Sequence, residues 1–171
     1  ETLIRTQPMA RKKGKKRLYI DVETTGPEKI IHGIHQIAGI VEIDNKIVTD
    51  FDFNCAPLPE QDIDPEALAV SNVTEKQIMK YPSEKKTFAY LIDVLNDVDY
   101  EYYPDQKFTV VGYSVGFDVD FTQAFFLNNN NREFGAIQNW KYVDVLAFLR
   151  LMIDWGDKEL GKLPNLRLET V

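Results

Sequence analysis

Residues 17–23, Arg-Leu-Tyr-Ile-Asp-Val-Glu, place aliphatic side chains at every second position and stop at Thr24-Thr25-Gly26-Pro27, a turn sequence. Side chains two apart on a strand point the same way, so Leu18, Ile20 and Val22 share one face and Asp21 and Glu23 the other. Two carboxylates side by side repel each other, and proteins relieve such a pair by protonation or with a bound cation. An all-oxygen donor set favours Mg²⁺ or Mn²⁺ over zinc. Taken alone, Asp-x-Glu fits a solvent-exposed sheet face equally well.

The rest of the chain supplies partners for that strand. Residues 36–43 and 46–54 are β-rich runs separated by Asp44-Asn45, a hairpin signal, so three antiparallel strands come first. The proline-rich stretch 57–65 reads as a loop. Thr74 with Gln77 three residues on forms a capping box and predicts a short helix. Phe88, Leu91, Ile92 and Leu95 lie on one face of a helix over 84–98. Residues 108–113 read as a buried strand, and helical patterns follow at 118–128 and 143–154. Asn128 to Asn131 mark a turn or frayed helix end. Trp140 and Trp155 are expected in the core or at its rim, and Thr170 and Val171 as the start of another helix. The order is three strands, helices, a strand, a helix, then a short strand and a helix, which predicts an α/β fold: a mixed sheet of three antiparallel strands, then parallel ones, flanked by helices.

A length of 171 residues suits one domain, and 44% apolar with 27% charged residues excludes a disordered chain. Glu42 and Arg150 interrupt the longest apolar runs, so no membrane span is expected. No signal peptide is visible. The single Cys55 cannot form an internal disulfide, which points to a reducing, cytoplasmic setting. With two histidines and one cysteine, structural zinc is not expected. The net charge is −7, yet residues 11–17 carry six positive charges in seven positions. Residues 1–16 therefore read as a basic arm, either contacting phosphates or simply solvated. Met9 is a candidate native start, with residues 1–8 then not native.

The string Asp21-Val22-Glu23-Thr24-Thr25-Gly26 is far more specific than Asp-x-Glu. Five specified positions at about one in twenty each match by chance on the order of 10⁻⁷ per start. It resembles the first motif of the DEDD superfamily of 3′–5′ exonucleases, of the proofreading type, which have a ribonuclease H-like fold. Gly112-Tyr113-Ser114-Val115-Gly116-Phe117-Asp118-Val119-Asp120-Phe121 is similar to the second motif, with Ser114 where the family commonly has Asn. Ile63-Asp64-Pro65-Glu66-Ala67-Leu68 and Val73-Thr74-Glu75-Lys76-Gln77-Ile78 resemble the linking segment, so the likeness covers residues 17–171.

The resemblance implies a two-metal phosphodiesterase using Mg²⁺ or Mn²⁺. Asp21 would bridge both ions, Glu23 would bind one near the attacking water, and Asp118 would hold the other. The backbone of Thr24, Thr25 and Gly26 would approach the 3′-terminal nucleotide, and Ser114 would lie nearby. Phe117 and Phe121 either stack on bases or belong to the core, since 117, 121 and 125 also fit a helix face. The implied partner is a nucleic acid with a free, single-stranded 3′ end, DNA ahead of RNA, with a polymerase or repair protein as a further candidate.

The family also carries a fourth Asp, with a His five residues or a Tyr four residues before it. Neither spacing follows Asp118. His32 reads as a loop residue, and both His32 and His35 are poorly placed to be that base. Asp144 matches a family aspartate that is usually structural, and Asp154 and Asp157 read as a helix end and loop. Leu163-Pro164-Asn165-Leu166-Arg167-Leu168 resembles the segment ahead of the final motif, so the expectation is that the third motif lies beyond residue 171. On that expectation this chain alone would have little activity. The competing reading is a non-catalytic nucleic-acid-binding module of the same fold. A dimerisation domain with a vestigial site, or a ribonuclease H-like endonuclease, fits the motifs less well.

Overall fold

A computed structural model of the chain describes residues 15–98, 107–138, 141–156 and 159. Most of the basic arm, Trp140, Asp157, Leu163 to Leu168, Thr170 and Val171 lie outside the described residues. Three strands come first: β1 (Lys16–Thr24), β2 (Ile34–Ile43) and β3 (Lys46–Asn54). Helices α1 (Pro65–Val70), α2 (Glu75–Ile78) and α3 (Glu84–Val98) follow. Strand β4 (Thr109–Gly112), helices α4 (Gly116–Asn128) and α5 (Phe134–Ile137), strand β5 (Val143–Asp144) and helix α6 (Val145–Asp154) complete the order.

The five strands form one sheet in the order β3-β2-β1-β4-β5. β1 and β2 pair antiparallel, as do β2 and β3, while β1–β4 and β4–β5 are parallel. The sheet is the mixed one expected. Its hairpin turns at Asp44 and Asn45, both in the left-handed region at φ 52° and 63°. Asn and Asp tolerate that region better than other residues with a Cβ, and the two-residue turn matches the twist of the strands.

One face of the sheet carries the core. Leu18, Ile20 and Val22 of β1 are buried with Ile37 and Val41 of β2 and Val110 of β4. Leu91 and Leu95 of α3 and Phe121, Phe125 and Phe126 of α4 close over them. Phe88 joins α3 to α4 edge-on, with ring centroids 5.7 Å from Phe125 and 5.0 Å from Phe126. The opposite face leaves Asp21 and Ile40 exposed. The β1 alternation thus sends the aliphatic side chains into the core and the carboxylates outward.

Four details differ from the sequence reading. Residues 65–70 form α1, where a loop was expected to reach residue 65; Asp64 caps the helix by accepting the Glu66 amide at 2.8 Å, with Pro65 in the first turn. Residues 134–137 form α5, which periodicity did not announce. The last helix begins at Val145, because Val143 and Asp144 pair with β4 as β5. Trp155 lies at the end of α6 and is 76% exposed, so it is neither core nor rim.

Candidate active site

The site is built where β1 outruns its parallel neighbour. β4 pairs with β1 only from Arg17 to Tyr19, so further along this side of β1 has no strand partner. After β4 the chain reverses at Ser114, held at φ 56°, and enters α4. Asp118, in the first turn of α4, then supplies what the missing strand does not: its Oδ1 accepts the Val22 amide at 2.9 Å. This bond sets Asp118, 5% exposed, beside the strand residue that separates Asp21 from Glu23.

The electrostatics follow from that packing. Asp118 is pushed up to about 6, first by burial, with repulsion from Asp21 and Glu23 adding to it. The Val22 amide pulls the other way. Asp21, although it reaches solvent on the open face, is also raised, first by partial loss of surrounding water and then by Glu23. Glu23 is half-buried, and its Oε2 accepts a hydrogen bond from Ser71 Oγ at 2.5 Å. The three predicted carboxylates therefore feel one another, although they come from segments almost a hundred residues apart in sequence.

The turn after Glu23 is fixed by its own side chains. A bulge in the β1–β2 pairing falls between Glu23 and Thr24. Thr24 Oγ1 donates to Gly26 O at 2.8 Å, and Thr25 Oγ1 donates to Asp62 O at 2.6 Å. The Thr25 hydroxyl also accepts the Gly33 amide at 3.0 Å. Both threonines are buried and their hydroxyls are occupied internally. Thr25 also spends its backbone, its amide donating to Gly33 O at 2.8 Å and its carbonyl accepting the Asp64 amide at 2.7 Å. Thr24 and Gly26 therefore face the cleft and Thr25, against expectation, does not. Gly26 packs against the His32 ring so closely that a Cβ there would lie 2.3 Å from Cδ2. His32 is thus a buried support beneath the turn, its Nδ1 accepting the Glu28 amide at 3.1 Å, rather than a free loop residue.

A cleft of about 390 Å³ opens beside this turn, lined by Val22, Glu23, Thr24, Gly26, Ser71 and Phe117 among others. Phe117 is 41% exposed and lines the cleft. Phe121 is 2% exposed and packs behind it with ring centroids 4.7 Å apart, so it backs Phe117 and has no open face for a base. Ser114 has an exposed side chain; its amide donates to Asp144 Oδ1 at 3.0 Å. The same Asp144 oxygen accepts the Leu146 amide at 2.9 Å and caps α6. Asp144 is a structural residue, as its position suggested.

The donor chemistry fits a hard divalent cation. Three carboxylates offer only oxygen, and two of them are raised partly by their mutual repulsion, which a cation would relieve. The set is open: among the described residues no three His, Cys, Asp or Glu side chains close into a ready-made ion site. Asp21, Glu23 and Asp118 are the residues that would hold an ion. Neither histidine is exposed as a free base. His35, on β2 across from the Glu23–Thr24 bulge, is near enough for Glu23 to raise its pKa, but it is 1% exposed and burial, the larger cause, lowers it. Sequence reasoning missed Ser71; the Ser71-Asn72 pair after a short apolar run was the available sign of a helix end close to the motif.

The family model for RNase_T, described as exonuclease, matches residues 18–154. No curated protein matches the sequence. Among solved structures, product-bound exonuclease I superposes with a TM-score of 0.65 at 20% identity, covering 81% of this chain and 32% of that one. Escherichia coli exonuclease I in complex with a dA16 oligonucleotide gives 0.65 at 20% identity, with 81% and 30% covered. A complex of exonuclease I with the SSB C-terminus gives 0.64, again at 20% identity, with 81% and 30% covered. The chain spans about a third of the length of those chains. With its mixed sheet and the carboxylate-bearing first and second motifs, the chain belongs to the RNase_T exonuclease family of the DEDD superfamily and has the ribonuclease H-like fold.

Proposed function

We propose that this chain is the catalytic domain of a metal-dependent 3′–5′ exonuclease that hydrolyses phosphodiester bonds at single-stranded ends, DNA ahead of RNA. The observation that carries the reading is the Asp118–Val22 bond, which brings the second-motif carboxylate to the strand bearing Asp21 and Glu23. The likeness to exonuclease I bound to oligonucleotides supports DNA as the substrate class. Two Mg²⁺ or Mn²⁺ ions at these carboxylates would lower the pKa of the attacking water and neutralise charge on the leaving oxygen.

The chain's own residues do the positioning. Thr24 and Gly26 offer backbone to the terminal nucleotide, close because Gly26 has no side chain, and Thr25 fixes the turn from within. Phe117 offers a face for its base, held in place by Phe121. Asp21, Glu23 and Asp118 would hold the ions, which would screen the phosphate from an otherwise acidic site. The buried Cys55 suits a reducing, cytoplasmic compartment, and a polymerase or repair protein is the natural associate of such an activity. A non-catalytic nucleic-acid-binding module is the second reading. It is favoured by one observation: both histidines are buried away from the role of base.

The test is digestion of 5′-labelled single-stranded DNA and RNA with Mg²⁺, Mn²⁺ or EDTA, using this chain and a protein in which the domain is continued past Val171. A ladder shortening from the 3′ end, stopped by EDTA and by Asp21→Ala, is the expected result. No cleavage by either protein, with salt-sensitive binding retained, establishes the binding module instead.

A further inference from the structure

The short helix α1 ends at the one place where its last residues can touch the site. Ser71 is its C-cap, and Asn72 follows in the left-handed region at φ 55°. The Val73 amide donates to Leu68 O at 3.1 Å and the Asn72 amide to Ala69 O at 3.2 Å, which is the closed six-to-one and five-to-two pattern of a Schellman end. Leu68 is 4% exposed and anchors the helix. The segment ahead of α1 is strapped to the motif turn: the Asp64 amide donates to Thr25 O at 2.7 Å, and Thr25 Oγ1 donates to Asp62 O. Both ends of α1 are therefore tied to residues 23–25, at one end by backbone and at the other by a single side-chain bond, Ser71 Oγ to Glu23 Oε2.

That bond faces a definite problem. Glu23 shares a strand face with Asp21, and Asp118 lies across Val22. Repulsion from both would push the flexible Glu23 side chain away from its neighbours. A hydroxyl donor opposes this, because it bonds to one carboxylate oxygen and leaves Oε1 and the remaining lone pairs of Oε2 open. Hydrogen-bonded partners of metal-binding carboxylates fix the orientation of the ligand. We propose that Ser71 is a positioning residue that holds Glu23 at the cleft in the geometry that receives a divalent cation. The inference rests on the reading of Glu23 as a metal-binding residue under the proposed function.

The test is Mn²⁺ titration by calorimetry without nucleic acid, on the wild type, Ser71→Ala, Ser71→Thr and Glu23→Ala, each checked by circular dichroism. Ser71→Ala is expected to bind Mn²⁺ about tenfold more weakly with an unchanged spectrum. Ser71→Thr, which keeps the hydroxyl, is expected to recover most of that loss. Wild-type affinity in Ser71→Ala, with binding lost in Glu23→Ala, overturns the role of Ser71 and leaves the site reading intact. Equal weakening in Ser71→Ala and Ser71→Thr also overturns it, since the hydroxyl would not be the cause. Wild-type affinity in Glu23→Ala overturns the site reading itself, and this inference with it.

Discussion

The amide of Val22 donates to Asp118 Oδ1 at 2.9 Å, across 96 positions of sequence. The bond exists because β4 is too short to reach Val22, and a helix-borne carboxylate takes the place of a strand carbonyl. It also means that the fold buries an acid next to two others. A buried carboxyl whose neighbours are carboxylates costs stability unless it is protonated or a cation arrives.

Asp118→Asn is therefore expected to stabilise the metal-free protein while abolishing hydrolysis. Asn keeps an Oδ1 acceptor for Val22 and removes the charge. The folded-state pKa of about 6 lies above the ordinary 3.8. Below 3.8 both folded and unfolded states are protonated and nothing is lost. Between 3.8 and 6 the unfolded state gives up its proton first, so stability falls as pH rises. Above 6 the penalty is complete, up to about 3 kcal/mol at about 1.4 kcal/mol per pKa unit. Melting in EDTA at pH 4 and pH 7.5 checks this: the variant should match the wild type at the lower pH and exceed it at the higher. Equal melting at pH 7.5 would show that the charge is not a burden.

Gly26→Ala is expected to destabilise the motif turn through His32. An added Cβ meets the buried His32 ring at 2.3 to 2.6 Å, so the ring must shift. Overpacking of this kind costs about 1–3 kcal/mol. In a His32→Ala background the same substitution should cost much less, and the double-mutant cycle isolates the contact. Additive effects in denaturant unfolding would place the strain elsewhere.

How much of this was legible depends on whether the signal was local. The β1 alternation, the Asp44-Asn45 turn and the Thr74–Gln77 box are each complete within a few residues, and each stands in the structure. Helix α1 was legible in principle, because Asp64-Pro65 is a cap followed by proline at the first helical position, but a run rich in proline reads first as loop. A short strand ahead of the last helix was expected and stands as β5, but its residues were not legible: Val143 and Asp144 have no period, and only β4 beside them makes them a strand. Of the site, the carboxylates could be named from sequence. Ser71 and the support of His32 under Gly26 could not, because both depend on how a distant segment lands on the motif turn.

Ser114 and Asp144 give a further prediction. Ser114 sits at φ 56°, a region that costs most residues energy and costs Gly and Asn less. Ser114→Asn or Ser114→Gly should thus be neutral or stabilising. Asp144→Ala removes one oxygen that serves the amides of Ser114 and Leu146, with Ala147 more distant at 3.4 Å. Loss of a helix cap costs about 0.5–2 kcal/mol, and here the turn into α4 loses its acceptor as well. Thermal melting of the three variants checks the order: Ser114→Asn and Ser114→Gly at or above the wild type, Asp144→Ala below it.

Glu84 carries a pH dependence of its own, away from the site. It opens α3, is 3% exposed, and accepts from Asn129 Nδ2 at 3.1 Å while its Oε2 has no partner among the described residues. Burial pushes it up to about 7; hydrogen bonds from Asn128 and Asn129 oppose the shift, and Glu60 adds to it. The adjacent Cys55 thiol is pushed up to about 12, again by burial first, so it stays neutral throughout. With the folded-state pKa above the ordinary 4.5, the protein loses stability as pH rises from 4.5 to 7 and then levels off. The full loss is about 3 kcal/mol. Glu84→Gln preserves the shape and the Oε1 acceptor, so its stability should match the wild type near pH 4.5 and exceed it by up to that amount at pH 7.5. Asp118 contributes a similar slope only up to about pH 6, and His35, lowered by burial from 6.5, contributes a rise in stability with pH rather than a fall, so a fall between 6 and 7 belongs to Glu84. Urea unfolding at half-unit pH steps resolves the two, and a wild-type slope between pH 6 and 7 that survives in Glu84→Gln would remove Glu84 as its source.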